Sequence, residues 1–271
     1  MKNVDLESVS AIIREVSERV VMPGFHALED HDIFEKRPGE LVTAVDIAAE
    51  KFLSKRLCAL VPNSRLLGEE CYEDDHTLME LMDTDGPVWI VDPIDGTGNF
   101  AKGRECFAVM VAYRDNRVTL AGWIYDPVTD RMISAEKGGG SHCNGQRLHA
   151  AGQGVSAGEL KGSLGTRLSK QLDGLRSQAI ATVPERIKRY RCCGREYMDL
   201  ALGELQFVQY GMNLKPWDHA PGVLIAEEIG CHAAFMEDGA PYDASGGTKT
   251  GYLMVAPDKT VWQQLRDLLW V

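Results

Sequence analysis

One stretch limits what this chain can fold into more than any other. Val88-Trp89-Ile90-Val91 is an apolar run that stops at Asp92, and Pro93-Ile94-Asp95-Gly96-Thr97-Gly98-Asn99-Phe100 follows. Apolar runs of this length that end in turn residues predict a buried strand. Two carboxylates at the end of a buried strand are costly unless something neutralises them. Mg²⁺ suits the position, because it takes hard oxygen ligands from few carboxylates and fills its shell with water and substrate phosphate. The Gly-Thr-Gly turn beyond Asp95 lets backbone N–H groups approach an anion. A metal beside an anion cradle points to phosphoryl chemistry. The competing reading is a structural Asp-Pro turn that only closes a strand.

Composition removes several other classes. The hydrophobic share of 44% and charged share of 25% are those of an ordinary globular chain. At 271 residues there is room for one large domain or two packed lobes. No run approaches the roughly 20 apolar residues of a membrane span, and the first residues, Met1 to Glu7, lack a signal-peptide core, so a cytoplasmic location is expected. The net charge of −11 argues against nucleic acid as a partner. It is compatible with a phosphorylated small molecule, since a bound cation reverses the local field. Seven scattered cysteines, with no C-x-x-C pair, read as reduced thiols.

The periodicity predicts a helix from Leu6 to about Val20 that ends at Pro23-Gly24, and a second from about Asp46 to Leu60 with Ile47, Phe52, Leu53, Leu57 and Leu60 inward. Residues 29–40 read as an exposed loop or mobile hairpin, and 71–86 as a surface helix or loop. Strands are expected at 65–68, 107–113, 118–125 and 131–135, with a hairpin turn at Asp115-Asn116. Residues 150–161, rich in Gly, Ala and Ser, mark a boundary between lobes of about 1–150 and 151–271 within one domain. The second half alternates strands (162–166, 178–183, 205–210, 231–236, 251–256) with helices (167–176, 194–203, 218–229, 258–269), which implies an α/β lobe.

Acids stand at three further points. Leu41-Val42-Thr43-Ala44-Val45-Asp46 ends in an acid at a helix start, Gly68-Glu69-Glu70 follows a strand, and Asp218 opens the helix in Trp217-Asp218-His219-Ala220-Pro221-Gly222. Taken singly, Asp46 and Asp218 read as helix caps, the Glu pair as a solvated turn, and His219 as a structural imidazole. Taken together, GEE at 68–70, DPIDGTGNF at 92–100 and WDHAPG at 217–222, with LVTAVD at 41–46 and the Asn-Gly turn at 144, resemble the inositol monophosphatase family of Mg²⁺-dependent, often lithium-sensitive phosphomonoesterases.

The resemblance implies an α-β-α-β-α sandwich of the sugar-phosphatase type, classed as α/β or α+β. It implies two or three Mg²⁺ ions, a small phosphorylated substrate and a homodimer. Carried over by position, Glu69, Asp92, the Ile94 carbonyl, Asp95 and Asp218 hold metal, with Asp95 shared between ions and Glu70 supporting a further ion through water. Thr97 and Asp46 orient and help deprotonate the attacking water, and Glu69 belongs to the same catalytic set. The backbone N–H groups of Gly96 and Thr97 hold the phosphate.

Specificity reads differently. Gly98 stands where the nucleotidase and histidinol-phosphatase branches often carry Lys, Gly194-Arg195-Glu196 replaces the Gly-Ser/Thr-Ala of inositol-specific members, and Gly211 replaces their hydroxyl-binding Glu. Arg195 and Glu196 are therefore candidate substrate contacts, Arg195 for a carboxylate or second phosphate; the alternative is an exposed pair at a helix start. The leading expectation is a phosphatase of small polyol or sugar phosphates. A 3′,5′-bisphosphate nucleotidase, a fructose-1,6-bisphosphatase or a histidinol-phosphate phosphatase are alternatives in the same chemistry. A partner of the transcription machinery is the alternative of another class.

Overall fold

The structure, a computed structural model, describes residues 4–37, 40–178 and 183–270. Helix α1 (Leu6–Val16) starts where Asp5 accepts the Ser8 N–H at 3.1 Å. Ser17–Val21 widens into a π turn and α2 (Met22–Ala27) continues from it. Pro23-Gly24 thus does not end the rod as expected: Pro23 falls in a first turn, where a missing N–H costs little. Strands β1 (Ile33–Arg37) and β2 (Glu40–Thr43) form an antiparallel hairpin in the segment read as a loop or hairpin.

Helix α3 (Ala44–Leu60) opens two residues earlier than the pattern suggested, with Thr43 as its cap. Its Leu53 and Leu57 are buried; Ile47 and Leu60, expected inward, are 36% and 37% exposed, Ile47 on an open cavity and Leu60 at the helix end. Strand β3 (Arg65–Gly68) leads into α4 (Glu69–Asp74) and a 3-10 stretch, His76–Asp83. Strand β4 (Val88–Asp95) is buried along its whole length and carries the second carboxylate past Pro93 by a bulge between Asp92 and Asp95. The short helix α5 (Thr97–Phe100) follows. Strands β5 (Ala108–Asp115) and β6 (Val118–Asp126) turn at Asn116-Arg117, both with positive φ, one residue beyond the expected position.

Strands β7 (Arg131–Glu136), β8 (Gly140–Cys143) and β9 (Gln146–Arg147) complete a seven-stranded sheet of order β3-β4-β5-β6-β7-β8-β9. The chain continues through β10 (Lys161–Ser163), α6 (Thr166–Ser177), β11 (Glu185–Arg186), α7 (Cys193–Ala201), β12 (Phe207–Gly211), α8 (Pro216–Glu228), β13 (His232–Phe235), β14 (Tyr252–Ala256) and α9 (Lys259–Leu269). The strand expected at 178–183 falls mostly on 179–182, outside the described residues. The second sheet has the order β11-β10-β12-β14-β13, parallel between β10 and its neighbours and antiparallel around β14.

Three apolar clusters make the layers. Helices α1 and α3 pack through Val9, Ile13, Leu53 and Leu57 on one face of the first sheet, over Trp89, Val91 and Trp123. The indoles are satisfied there: Trp89 donates to Ser64 Oγ and Trp123 to the Leu6 carbonyl, each at 3.2 Å. Met110, Ile124 and Ile133 on the opposite face meet α7, α8, Val208 and Val255. Helices α6 and α9 cover the outer face of the second sheet through Leu168, Leu172, Trp262 and Leu265 over Phe207 and Met254. The order is α-β-α-β-α. Among the described residues no helix is long and apolar enough to cross a membrane.

Helix α8 lies close on β6 because Gly122 offers no side chain: a Cβ there would stand 3.0 Å from the Pro221 backbone. Gly222 likewise sits under the fully buried Tyr197 ring of α7, 2.2 Å from where a Cβ would fall. In an unobstructed helix interior Gly→Ala gains roughly 1 kcal/mol. Gly222→Ala should instead lower stability by about 1–3 kcal/mol, since Tyr197 has no room to yield. Urea unfolding checks the sign, and a raised midpoint would count against this packing.

Candidate active site

The bulge in β4 places Asp92 and Asp95 at one end of a cavity of about 580 Å³ whose wall also includes Glu69, Gly96, Thr97 and Asp218. Three elements converge there. Strand β4 delivers the two aspartates, α4 begins at Glu69 beside the end of β3, and α8 brings Asp218 in its first turn. Asp95, Asp218 and the Cys193 thiol hold ligand atoms within 4.8 Å of one another, a set that fits a cation.

Each carboxylate is held. Asp92 accepts the Ile94 N–H at 3.1 Å. Asp95 accepts the Gly194 N–H at 2.6 Å and the Cys192 thiol at 3.1 Å on one oxygen, and the Cys193 thiol at 3.4 Å on the other. Gly194 makes this possible, since a Cβ there would come 3.0 Å from the carboxylate. Glu50 of α3 accepts the N–H groups of Glu70 at 2.8 Å and Cys71 at 2.7 Å, anchoring the start of α4.

Asp46 does two things at once. One oxygen accepts the Thr43 N–H at 2.9 Å, as the third helical residue of a capping box. The other lies 3.2 Å from Thr97 Oγ1, which is also 3.0 Å from the Ile94 carbonyl. The capping reading and the catalytic one therefore describe the two oxygens of one side chain. Asp218 is not a cap, since Lys215 holds that position. His219 is structural: it is 4% exposed, contacts the Tyr197 hydroxyl at 3.1 Å, and burial brings its pKa down to about 3.

The field inside the cavity is strongly negative. Burial, then the charges of Glu69, Asp95 and Asp218, pushes Asp92 well above the usual carboxylate range. Burial also raises Asp95, opposed by the Cys192 and Gly194 hydrogen bonds. Asp46 rises to about 6, mainly by burial, and Glu70 to about 8, by burial and by Glu69. One cation answers. Lys36, from the β1–β2 hairpin, sits 3.1 Å from Glu69 and 2.7 Å from Glu70 with a side chain 9% exposed. Burial opposes its charge, but the two glutamates raise its pKa overall. The ammonium stands in for part of the positive charge this carboxylate set demands.

Two sequence expectations fail. Arg195 reaches Asp199 at 3.0 Å and Asp126 at 3.2 Å, and does not line the cavity. Glu196 is fully buried, bound to Arg189 at 3.0 Å and Ser163 Oγ at 2.8 Å. Both charges are consumed inside the α7 packing, so neither is placed to contact substrate. Sequence reading passed over Lys36, Asn99, Lys102, Arg104 and Arg191. The last three line the cavity, and Asn99, 5% exposed, donates to the Cys106 carbonyl at 3.0 Å and the Tyr190 carbonyl at 2.9 Å. Asn99 could have been suspected, as a polar residue between a glycine and a buried Phe, and Arg191 as the end of the basic run Arg186-Ile187-Lys188-Arg189-Tyr190-Arg191.

Comparison with known proteins agrees with this geometry. The model of the inositol monophosphatase family matches residues 3–263. The chain is 30% identical over 223 residues to an inositol-1-monophosphatase of Bacillus subtilis, covering 80% of each, and 29% identical over 257 residues to inositol monophosphatase 1 of Solanum lycopersicum, covering 89% of each. The solved structure of inositol monophosphatase II from Staphylococcus aureus superposes with a TM-score of 0.77 at 26% identity, over 97% of this chain and 94% of that one.

The raised carboxylates make a pH prediction. An acid whose pKa is higher in the folded than in the unfolded state stabilises the fold at low pH, and this is lost as pH rises through the folded value. For Asp46 and Glu70 that window runs from about 4 to about 8. Metal ligation needs the ionised carboxylates. Millimolar Mg²⁺ should therefore raise the melting temperature more at about pH 8.5 than at about pH 6. Equal gains in a thermal-shift series would remove the carboxylate cluster as the cation's site.

Proposed function

The chain belongs to the inositol monophosphatase family and is a phosphomonoester hydrolase, and we propose that it works with Mg²⁺ held by Glu69, Asp92, the Ile94 carbonyl, Asp95 and Asp218. The observation that carries this is the convergence of Glu69, Asp92, Asp95 and Asp218 on one cavity, with Thr97 and Asp46 hydrogen-bonded at its wall. Such a cluster is repulsive until a cation joins it, and the oxygen-rich donor set suits a hard ion. When bound, the cation supplies Lewis acidity and lowers the pKa of water, so no nucleophilic side chain is needed.

The chain's own groups supply position and proton handling. Thr97 Oγ1 donates to Asp46 Oδ1, which leaves its lone pairs to accept a proton from the attacking water. With Thr43 fixing the other carboxylate oxygen, Asp46 can receive at Oδ1 the hydroxyl proton that Thr97 gives up as it takes one from the water. The N–H groups of Gly96 and Thr97 face the phosphate, Gly96 reaching a φ of 90° that favours glycine. Gly98 keeps the cradle open, since a Cβ there would meet nothing within 4 Å. The substrate is a small phosphorylated alcohol. Two or three ions would be held there with Asp95 as a shared ligand, and a cytoplasmic homodimer inhibited by lithium is part of the same reading. The intact acid set supports catalysis over a purely scaffolding role in transcription.

Phosphate release with Mg²⁺ from inositol 1-phosphate, fructose 1,6-bisphosphate, adenosine 3′,5′-bisphosphate and histidinol phosphate tests the reading. Asp95→Asn should lose well over tenfold in kcat, more than about 1.4 kcal/mol of transition-state stabilisation, and stay folded. Retained turnover would refute a shared ligand at Asp95. Thr97→Ala should lower kcat by about 10²–10⁴-fold with little change in KM. A change confined to KM would make Thr97 a substrate contact instead.

A further inference from the structure

Arg191 belongs to two cavities. It stands on the wall of the carboxylate cavity and on that of a neighbouring one of about 500 Å³, which also carries Lys170, Arg186, Lys188 and Arg189. Lys170 and Arg189 in turn line a third cavity, of about 770 Å³, together with Arg167. The three cavities share walls, Arg191 standing between the first and second, and Lys170 and Arg189 between the second and third. Among the described residues Asp173 is the one acid lining the second and third cavities, and Arg186 already holds it at 3.3 Å. Gly211 lines the third cavity and adds no charge.

Not all these cations are available. Arg189 is bound to the buried Glu196, and Arg167 lies over Trp270 at 4.1 Å. Lys170, Lys188 and Arg191 make no ion pair or side-chain hydrogen bond among the described residues. That is notable in a chain with 40 acidic and 29 basic residues, where carboxylates are in surplus. The backbone supports the same point. Arg191 has a φ of 59°, costly for a residue with a side chain, and the buried Asn99 amide holds this turn through the Tyr190 carbonyl. Asn99 sits three residues after Gly96, so the cradle and the cationic strip are clamped together.

We propose that Arg191, Lys188 and Lys170 form a subsite for a second phosphate, so that the preferred substrate is a phosphomonoester whose alcohol carries another phosphate that is bound and not cleaved. The inference rests on the phosphatase reading above. It moves the second-anion role from Arg195, which is engaged by Asp126 and Asp199, to residues whose charge is uncommitted.

The test compares kcat/KM for inositol 1-phosphate with that for fructose 1,6-bisphosphate and adenosine 3′,5′-bisphosphate, whose second phosphates differ in reach. The native enzyme should favour at least one bisphosphate by about tenfold or more. Lys188→Gln/Arg191→Gln should cut that preference by roughly tenfold, mainly through KM, as expected for lost charge-assisted hydrogen bonds. The native preference should shrink at high salt. Lys55→Gln/Lys259→Gln, the same change in net charge outside all three cavities, should keep it. Equal losses on both substrate types, or a native preference for inositol 1-phosphate, would overturn the subsite and leave the phosphatase standing. No hydrolysis of any ester, with Mg²⁺ still raising the melting temperature, would overturn the phosphatase reading and the subsite with it.

Discussion

The repulsion between acids at the end of β4 is the constraint around which the rest is arranged. A strand buried over eight residues ends in Asp92 and Asp95, with Asp218 and Glu69 close by. Ionised carboxylates in such surroundings would neutralise themselves by taking up protons, and the raised pKa values of Asp92 and Asp95 show that pressure. The fold tolerates the arrangement because it supplies donors to Asp92, Asp95 and Glu69. On the proposed reading, a divalent ion would stabilise what is left.

The scaffold is built to keep those acids in place. Gly194, at the start of α7, gives Asp95 a backbone donor that a larger residue would displace. Gly122 and Gly222 let α8 approach β6 and α7, which sets where Asp218 falls. Glu50 fixes the start of α4, and so Glu69, from beneath. Lys36 brings compensating charge to Glu69 and Glu70, and it comes from the β1–β2 hairpin and not from the sheet core. That is the element an incoming cation could displace at least cost to the packing.

These features differ in how legible they were in the sequence. Strand β4, α3 and α8 were readable because apolar periodicity and a terminal acid coincide in each. The proposed metal-ligand set followed from resemblance of motif, and its four carboxylates, Glu69, Asp92, Asp95 and Asp218, line one cavity. Local pattern was a poorer guide where a residue's partner lies far along the chain. Arg195 and Glu196 looked like substrate contacts, but their partners, Asp126 and Ser163, come from β6 and β10. The π turn at Ser17–Val21 has no sequence marker and overrode Pro23-Gly24 as a stop signal. The cationic strip was passed over although Arg186, Lys188, Arg189 and Arg191 form a basic run, because such a run reads as solvated surface until Lys170 of α6 is seen to line the same cavity.

This contrast separates reaction from specificity. The reacting centre is written in buried residues whose hydrogen bonds over-determine them: Asp95 accepts three donors and Asp46 serves a helix cap and Thr97 together. Changing one disturbs several contacts, so the motif is rigid and readable. The groove beyond Arg191 is lined by exposed side chains with few mutual contacts, which can be exchanged without disturbing the core. A chain can therefore resemble polyol phosphatases through its acids while its rim carries charge suited to a different alcohol. Negative cavity and positive groove also divide the work between them. On the proposed reading, the groove would attract an anionic substrate that the acids alone would repel.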